Sequence, residues 1–104
     1  MLRIQVDTLQ VVRDVRPLAD AIARHDADQA RQLRRSAMSI HLNVAEGSGS
    51  RGGRRRMRYE DALGSARETR ANLEAADAVG YVTVDPAVMA RLAKITGTLV
   101  RLLF

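Results

Sequence analysis

Apolar residues recur along this chain at intervals of three and four, which is the spacing of one face of an α-helix. Four such stripes follow one another. The first two stripes are Leu9, Val12, Val15, Ala19 and Ile22, then Ala30, Leu33, Ala37, Ile40 and Val44. The last two are Tyr59, Ala62, Ala66, Thr69, Leu73, Ala76 and Gly80, with Leu63 beside them, then Val88, Leu92, Ile95, Leu99 and Leu102. No segment alternates apolar and polar residues long enough to indicate a sheet, so the sequence predicts an all-α protein.

Local signals place the first helix boundaries. Pro17 lies within the first stripe. Because proline has no backbone donor and crowds the preceding turn, it predicts either a kink in helix 1 or a helix start near Arg16. Asp26 or Asp28 is positioned to cap the start of helix 2 with its carboxylate.

Glycine and proline mark the remaining boundaries. Gly47 and Gly49 are expected to end helix 2, and Gly80 to end helix 3, because glycine tolerates a left-handed conformation. Asp85 as N-cap and Pro86 at the first helical position predict the start of helix 4. The predicted helices span about 5–25, 28–48, 54–80 and 86–103.

Four helices with short connections predict an up-down-up-down four-helix bundle. We expect residues 1–104 to form a single domain of this kind. The third stripe is rich in alanine and Gly64 lies beside it. Another helix is therefore expected to approach closely at that point.

The composition excludes several kinds of site. The chain has 104 residues and no cysteine, so neither a disulfide nor a thiolate metal site is possible. Arg3, Asp7, Arg13 and Asp14 stand where a signal peptide would need an apolar core. No uncharged apolar run reaches the roughly 18 residues of a membrane span. We expect a cytoplasmic protein that does not associate with membranes.

The net charge of +5 is concentrated in one segment. Residues 31–58 hold eight arginines against a single acid, Glu46, whereas the rest of the chain holds nine basic and eleven acidic residues. We predict that all eight arginines contact nucleic acid. They are Arg31, Arg34, Arg35, Arg51, Arg54, Arg55, Arg56 and Arg58.

The centre of this segment, GSGSRGGRRRMR at residues 47–58, contains the spacing G-x-G-x-x-G. That fingerprint binds a dinucleotide when a strand precedes it within a βαβ unit, and here a helical stripe precedes it. Gly53 also stands where a phosphate-binding P-loop would carry lysine. We expect no nucleotide and no other cofactor.

Two interpretations of this loop remain. It is either a solvated connection whose charges aid solubility or a surface that contacts phosphates. Arg54, Arg55, Arg56 and Arg58 crowd the first turns of helix 3, where cations oppose the helix dipole and exposed amides favour an anion. Phosphate contact is therefore favoured, with an affinity that falls as salt rises. Tyr59 is the only aromatic residue near the cluster in sequence, which predicts little contact with bases.

About half of the chain resembles a known family. The segments QLRRSAMSIHLNVAEGSGS and ALGSARETRANLEAADAVGYV are similar to the four-helix-bundle proteins encoded in bacterial 23S ribosomal RNA intervening sequences. That family includes the accessory variability determinants of diversity-generating retroelements. The matching motif positions include Asn43, Glu46, Gly47, Gly64, Ser65, Glu68, Gly80 and Tyr81.

The resemblance implies a homopentameric barrel with a basic surface. It also implies nucleic-acid binding and, as in the retroelement proteins, partnership with a reverse transcriptase. Two features depart from the family pattern. His41 stands where the family usually has proline, and helix 1 lacks the aromatic residues that members usually carry there.

The motif residues also have a structural interpretation. A polar cluster between helices 2 and 3, or between subunits, is expected from Asn43, Glu46, Ser65 and Glu68. No nucleophile or metal set accompanies Glu46 and Glu68, so we expect no catalysis. His25 and His41 lack a carboxylate at metal-ligand helix spacing, so we expect no metal site.

Helix 4 predicts self-association. Val100 and Leu103 lie off its main stripe, so the helix has two apolar faces, and the second face is expected to pack on another copy. The alternative is a monomer in which both sets of residues form one broad buried face. We expect a non-enzymatic, ring-forming homo-oligomer that contacts RNA or DNA phosphates. The alternative is a protein-interaction scaffold whose basic loop docks an acidic protein. An anionic-membrane binder would need an aromatic-rich amphipathic face, which this chain lacks.

Overall fold

The computed structural model describes residues 2–104, which form four helices joined by short turns. The helices are α1 (Arg3–Ala23), α2 (Ala27–Ser48), α3 (Gly52–Ala78) and α4 (Pro86–Leu103). Their starts and ends lie within two residues of the ranges expected from the sequence. The molecule measures 42 × 23 × 22 Å, so its length is that of the longest helix, α3.

The helices pack as a four-helix bundle in which each helix contacts the two helices next to it. α1 packs on α2 and α4, and α3 packs on the same two helices from the other side. The α2–α3 contact is the most extensive and the α1–α4 contact the least. Residues 2–104 contain no strand, so the predicted all-α bundle is confirmed.

The core stripe of α1 differs from the predicted one in its first half. Thr8 and Val11 are fully buried, whereas Leu9 and Val12 are only partly buried. Apolar spacing favours Leu9 over the polar Thr8. The predicted stripe therefore lies one residue away from the buried face in this half of the helix. Thr8 is accommodated because its hydroxyl donates to the Gln5 carbonyl (3.1 Å) and lies 2.9 Å from His41 Nδ1.

The stripe of α4 also differs at its end. Leu103 is buried, while Leu102 is 54% exposed. Val100 is partly buried and packs against the core. Val100 and Leu103 therefore belong to the core of the same chain, and the expectation that they form a second apolar face was wrong. The apolar residues that α4 exposes near its end are Leu102 and Phe104.

The helix starts follow their capping residues. Asp26 caps α2 by accepting a hydrogen bond from the Gln29 amide at 2.9 Å, and Asp85 caps α4 by accepting one from Ala87. Pro86 occupies the first turn of α4 as predicted. Pro17 lies inside α1, so the alternative of a helix start near Arg16 was wrong.

Of the four glycines singled out in the sequence, Gly49 agrees with the prediction and the other three differ from it in whole or in part. Gly47 lies buried inside α2, and Gly49 is the residue that follows its end. Gly80 follows α3 with a φ of +82°, as expected for a terminating glycine, but it is exposed and is not part of the core. Gly64 faces solvent, with no atom within 4 Å of a Cβ added to it. The predicted close approach at Gly64 is therefore not made by any helix of this chain.

None of the helices in residues 2–104 combines the length and the apolar character that crossing a membrane requires.

Candidate nucleic-acid interface

The antiparallel topology brings four helix ends together at one end of the bundle. α1 begins there, α2 ends, α3 begins and α4 ends. Arginines from all of these segments except α2 gather at this place, which we call the basic end. They are Arg3, Arg51, Arg54, Arg55, Arg56, Arg58 and Arg101.

The turn between α2 and α3 is short and held by its own backbone contacts. Gly52 begins α3 with a φ of +56°, a conformation that a side chain would strain. Arg55 Nε donates to the Ser50 carbonyl at 2.9 Å and to the Gly47 carbonyl at 3.3 Å. Since these carbonyls stand at and just beyond the end of α2, Arg55 connects the two helices in addition to carrying charge.

Two arginines of the basic end pair with carboxylates. Arg58 Nε lies 2.9 Å from Glu46, across the α2–α3 contact, and Arg56 Nε lies 3.0 Å from Glu60 one turn along α3. The side chains in these pairs are between 40% and 55% exposed. Exposed ion pairs contribute about 0–1 kcal/mol, so a phosphate can displace the carboxylate at little cost.

Other arginines of the predicted set have no carboxylate partner. Within residues 2–104, no ion pair involves Arg35, Arg51, Arg54 or Arg55. Arg51 precedes α3 with extended backbone and caps it with no side-chain hydrogen bond. Arg51 and Arg54 are exposed. Their charge is thus directed to solvent at the point where the amides of α3 begin.

The predicted set does not lie on one surface. Arg31 pairs with Asp28, and Arg34 pairs with Asp20 at 2.6 Å. Because a helix rises about 1.5 Å per residue, Arg31 stands about 26 Å from the end of α2. Arg31 and Arg34 therefore lie toward the opposite end of the bundle. Arg35 lines a groove that Arg58 also lines, and so is nearer to the basic end.

The opposite end of the bundle carries both acidic side chains and arginines, and several of them pair with each other. It contains the end of α1, the start of α2, the end of α3 and the start of α4. The acidic residues there are Asp20, Asp26, Asp28, Glu74, Asp77 and Asp85. The basic end therefore has the larger excess of positive charge and is the favoured side for an anionic partner.

The predicted polar cluster forms only in part. Asn43 Nδ2 donates to the carbonyl and hydroxyl of Ser39, each at 3.0 Å, and the Ser39 hydroxyl lies 2.8 Å from that of Ser65. Glu46 is exposed and pairs with Arg58 instead. Glu68 is exposed and lines a separate groove with residues at the start of α2. These residues join α2 to α3 and do not form an acid–base pair.

The last motif position, Tyr81, has a packing role at the opposite end. Its ring stacks on that of His25, with centroids 4.7 Å apart and planes 1° from parallel. Among residues 2–104, no three histidine or acidic side chains are grouped closely enough to hold a metal ion.

The aromatic residue exposed at the basic end is Phe104, and not Tyr59 as its position in the sequence suggests. Tyr59 is buried, with 6% of its surface exposed, so it is not presented to a ligand. Phe104 is 84% exposed, and its ring centroid lies 5.7 Å from Arg56 Cζ. Phe104 and Arg56 are far apart in sequence. The bundle topology places the end of α4 beside the start of α3, and this topology is the signal that indicates their proximity.

An exposed apolar groove runs between α2 and α3. Met38 is 45% exposed and Leu42 is 52% exposed on the outer face of α2. The groove has a volume of about 380 Å³. Its lining residues are Arg35, Met38, Ser39, Leu42, Asn43, Glu46 and Arg58.

Comparison with known proteins agrees with the fold. A family model described as 23S rRNA-intervening sequence protein matches residues 2–103. The structure is similar to a crystal structure from Bacteroides thetaiotaomicron, described as a protein of unknown function from the S23 ribosomal protein family. The TM-score is 0.86 at 19% identity, covering 96% of this chain and 97% of the other. No curated protein matches the sequence.

Proposed function

We propose that this chain, which belongs to the 23S rRNA-intervening sequence protein family, is a non-enzymatic accessory protein that binds nucleic acid through its basic end. Its arginines contact the phosphates of RNA or DNA, and copies of the chain assemble into a ring, with five subunits as the sequence resemblance implies. A reverse transcriptase is the partner enzyme implied by the same resemblance. One observation carries this proposal. Arg51 and Arg54, in the arginine cluster of the basic end, are exposed and make no ion pair among residues 2–104.

Electrostatics favours an anionic partner at this place. The first turn of α3 contains no acidic residue, although acidic side chains are the ones that stabilise a helix start. Arg54 and Arg55 instead add positive charge beside the positive end of the helix dipole. A bound phosphate would reduce this repulsion and accept hydrogen bonds from guanidinium groups and free amides.

Self-association would strengthen such binding. Each copy in a ring presents its own basic end, and several linked weak contacts bind one polymer far more tightly than one contact does. Met38 and Leu42 support assembly, because a soluble monomer gains nothing from exposing two large apolar side chains beside a groove. Arg35 and Glu46 on the rim supply charges of both signs.

Replacing two arginines tests phosphate contact. Arg51→Gln with Arg54→Gln removes charges that make no ion pair with the described residues, so the fold should be unaffected. Binding of labelled RNA and DNA, followed by fluorescence anisotropy across a salt series, should weaken for every sequence. The slope of log affinity against log salt should fall by about 1 for each phosphate that the variant no longer binds.

The matched control uses the same substitution far from the basic end. Arg31→Gln with Arg34→Gln removes two arginines that are paired with acids and stand about 26 and 21 Å from the end of α2 along the helix axis. This variant should retain most of the affinity. Equal loss in both variants would show binding by net charge alone. A salt-independent affinity, or no nucleic-acid binding by the natural chain, would contradict the proposal and favour an acidic protein partner.

A further inference from the structure

Phe104 stands at the rim of the basic end and is more exposed than any other large apolar residue of the described chain. Its ring is 84% exposed, and the guanidinium carbon of Arg56 lies 5.7 Å from the ring centroid. An aromatic side chain and an arginine are thus presented together. Neither is buried by the four-helix packing.

The backbone holds this ring in a defined place. The Phe104 amide donates to the Val100 carbonyl at 2.8 Å, which continues the hydrogen bonding of α4. Arg56 Nη1 donates to the Leu103 carbonyl at 3.0 Å, which ties the end of α4 to the start of α3. Leu103 is buried and anchors this turn in the core. The ring therefore stands on backbone that is fixed from two sides.

A cleft opens between the start of α3 and the end of α4, and Phe104 directly follows two of its lining residues in sequence. Its volume is about 390 Å³, within the range of small-ligand sites. Its lining combines glycine backbone, two guanidinium groups and apolar surface. The lining residues are Gly52, Arg55, Arg56, Tyr59, Leu102 and Leu103.

We propose that Phe104 stacks on an unpaired base and that the basic end therefore prefers single-stranded nucleic acid to duplex. This inference rests on the nucleic-acid binding proposed above and specifies the substrate class of the same site. Proteins that bind single strands combine a positive surface along the phosphates with aromatic side chains on which bases stack. In a duplex the base faces are covered by neighbouring pairs, so an exposed phenyl ring has nothing to stack on.

The arginines alone would not distinguish a single strand from a duplex, and the ring would. Arg51, Arg54 and Arg56 would bind the phosphates of either form, since both carry the same groups. Phe104 adds a contact that only an exposed base can complete. Arg56 lies close to both, because its guanidinium carbon is 5.7 Å from the ring centroid and its side chain lines the cleft.

The experiment compares three probes of equal length: a single strand with bases, the same strand with abasic sites, and the duplex. Affinity for each is measured for the natural chain, Phe104→Ala and Phe104→Tyr. Phe104→Ala should weaken binding of the single strand by about 5- to 150-fold, the range expected for one stacked base. Duplex and abasic binding should change little. Phe104→Tyr, which keeps the ring, should restore single-strand affinity.

Two further measurements separate stacking from other roles. Val79→Ala removes an exposed apolar side chain at the opposite end of the bundle and should leave single-strand affinity unchanged. The salt dependence of Phe104→Ala should match that of the natural chain, because the phosphate contacts are retained. Phe104→Trp introduces the only tryptophan of the chain, and its fluorescence should be quenched by the single strand and not by the abasic strand.

Several results would overturn the inference. Equal affinity for the single strand, its abasic form and the duplex, with no effect of Phe104→Ala, would remove stacking and leave phosphate binding in place. Loss of self-association in Phe104→Ala, measured by light scattering, would assign the ring to contact with a second copy. If the natural chain binds none of the three probes, both this inference and the proposed function fail.

Discussion

Gly47 and Tyr59 are in such close contact that a Cβ on Gly47 would lie 2.5 Å from Tyr59 Cε1. The tyrosine ring is buried and cannot move aside. Gly47→Ala should therefore destabilise the protein, since overpacking costs about 1–3 kcal/mol and alanine recovers only about 0.5–1 kcal/mol in a helix. Thermal unfolding followed by circular dichroism should show a melting temperature lower by several degrees.

Gly64→Ala is the matched control for this substitution. Gly64 is also helical, but no atom lies within 4 Å of its added Cβ. Alanine should raise stability by about 0.5–1 kcal/mol at that position. If both variants melted at the same temperature as the natural chain, the close packing of α2 on α3 at Gly47 would be contradicted.

A mostly buried ion pair joins α1 to α4, which make the least extensive contact between neighbouring helices of the bundle. Asp14 pairs with Arg91 and also accepts a hydrogen bond from Gln10 at 3.0 Å, and its side chain is only 14% exposed. Asp14→Ala should cost about 1–3 kcal/mol in urea unfolding, because two donors lose their acceptor.

An exposed pair of the same kind provides the comparison for Asp14. Glu74 pairs with Arg70 at 3.7 Å on the surface of α3, where its side chain is 59% exposed. Glu74→Ala should change stability by about 0.5 kcal/mol or less. Equal effects of the two substitutions would show that the Asp14 pair does not hold α1 against α4.

Most of the fold followed from the sequence because its signals are local. Spacing of apolar residues located all four helices, and Asp26, Asp85 and Pro86 supplied chemistry that acts within one turn. Every predicted position of the α2 stripe is buried, and the small residues Ser36 and Gly47 are buried with it. Long-range partners decided the errors. Thr8 is buried because His41, on another helix, lies within hydrogen-bonding distance of its hydroxyl.

The candidate site was harder to predict, because it is assembled from segments distant in sequence. The cluster of arginines after α2 was visible as a run of charge, but its ion pairs were not. Arg31 and Arg34 belonged to the same run, yet a helix carries them away from the turn. The position of Phe104 beside Arg56 depends on the packing of α4 against α3, which apolar spacing alone does not specify.

Leu42→Glu should weaken the proposed self-association. Leu42 is 52% exposed in the groove between α2 and α3, and a carboxylate there would have to be desolvated on assembly. Light scattering should change from a mass near five chains of 11.5 kDa toward that of one. Helix content should be retained, since the side chain is outside the core.

Val79→Glu places the same charge at a position of similar exposure away from the groove. Val79 follows α3 at the opposite end of the bundle and is 62% exposed. Assembly should be unaffected by this change. A natural chain that is monomeric at all concentrations would contradict the ring itself. Loss of assembly in Val79→Glu alone would place the interface at the end of the bundle where Val79 lies.

Arg54→Glu should increase stability and decrease nucleic-acid binding. Arg54 lies in the first turn of α3, where it makes no ion pair with the described residues and its charge opposes the helix dipole. Glutamate reverses that interaction and should stabilise the free protein by about 0.3–1 kcal/mol at low salt, with the gain lost at high salt. Urea unfolding at both salt concentrations measures this, and anisotropy with labelled RNA measures the loss of affinity. If Arg54→Glu lowered the stability, Arg54 would be needed for the fold. A gain in stability together with a loss of binding is expected only when the charge is retained for a partner.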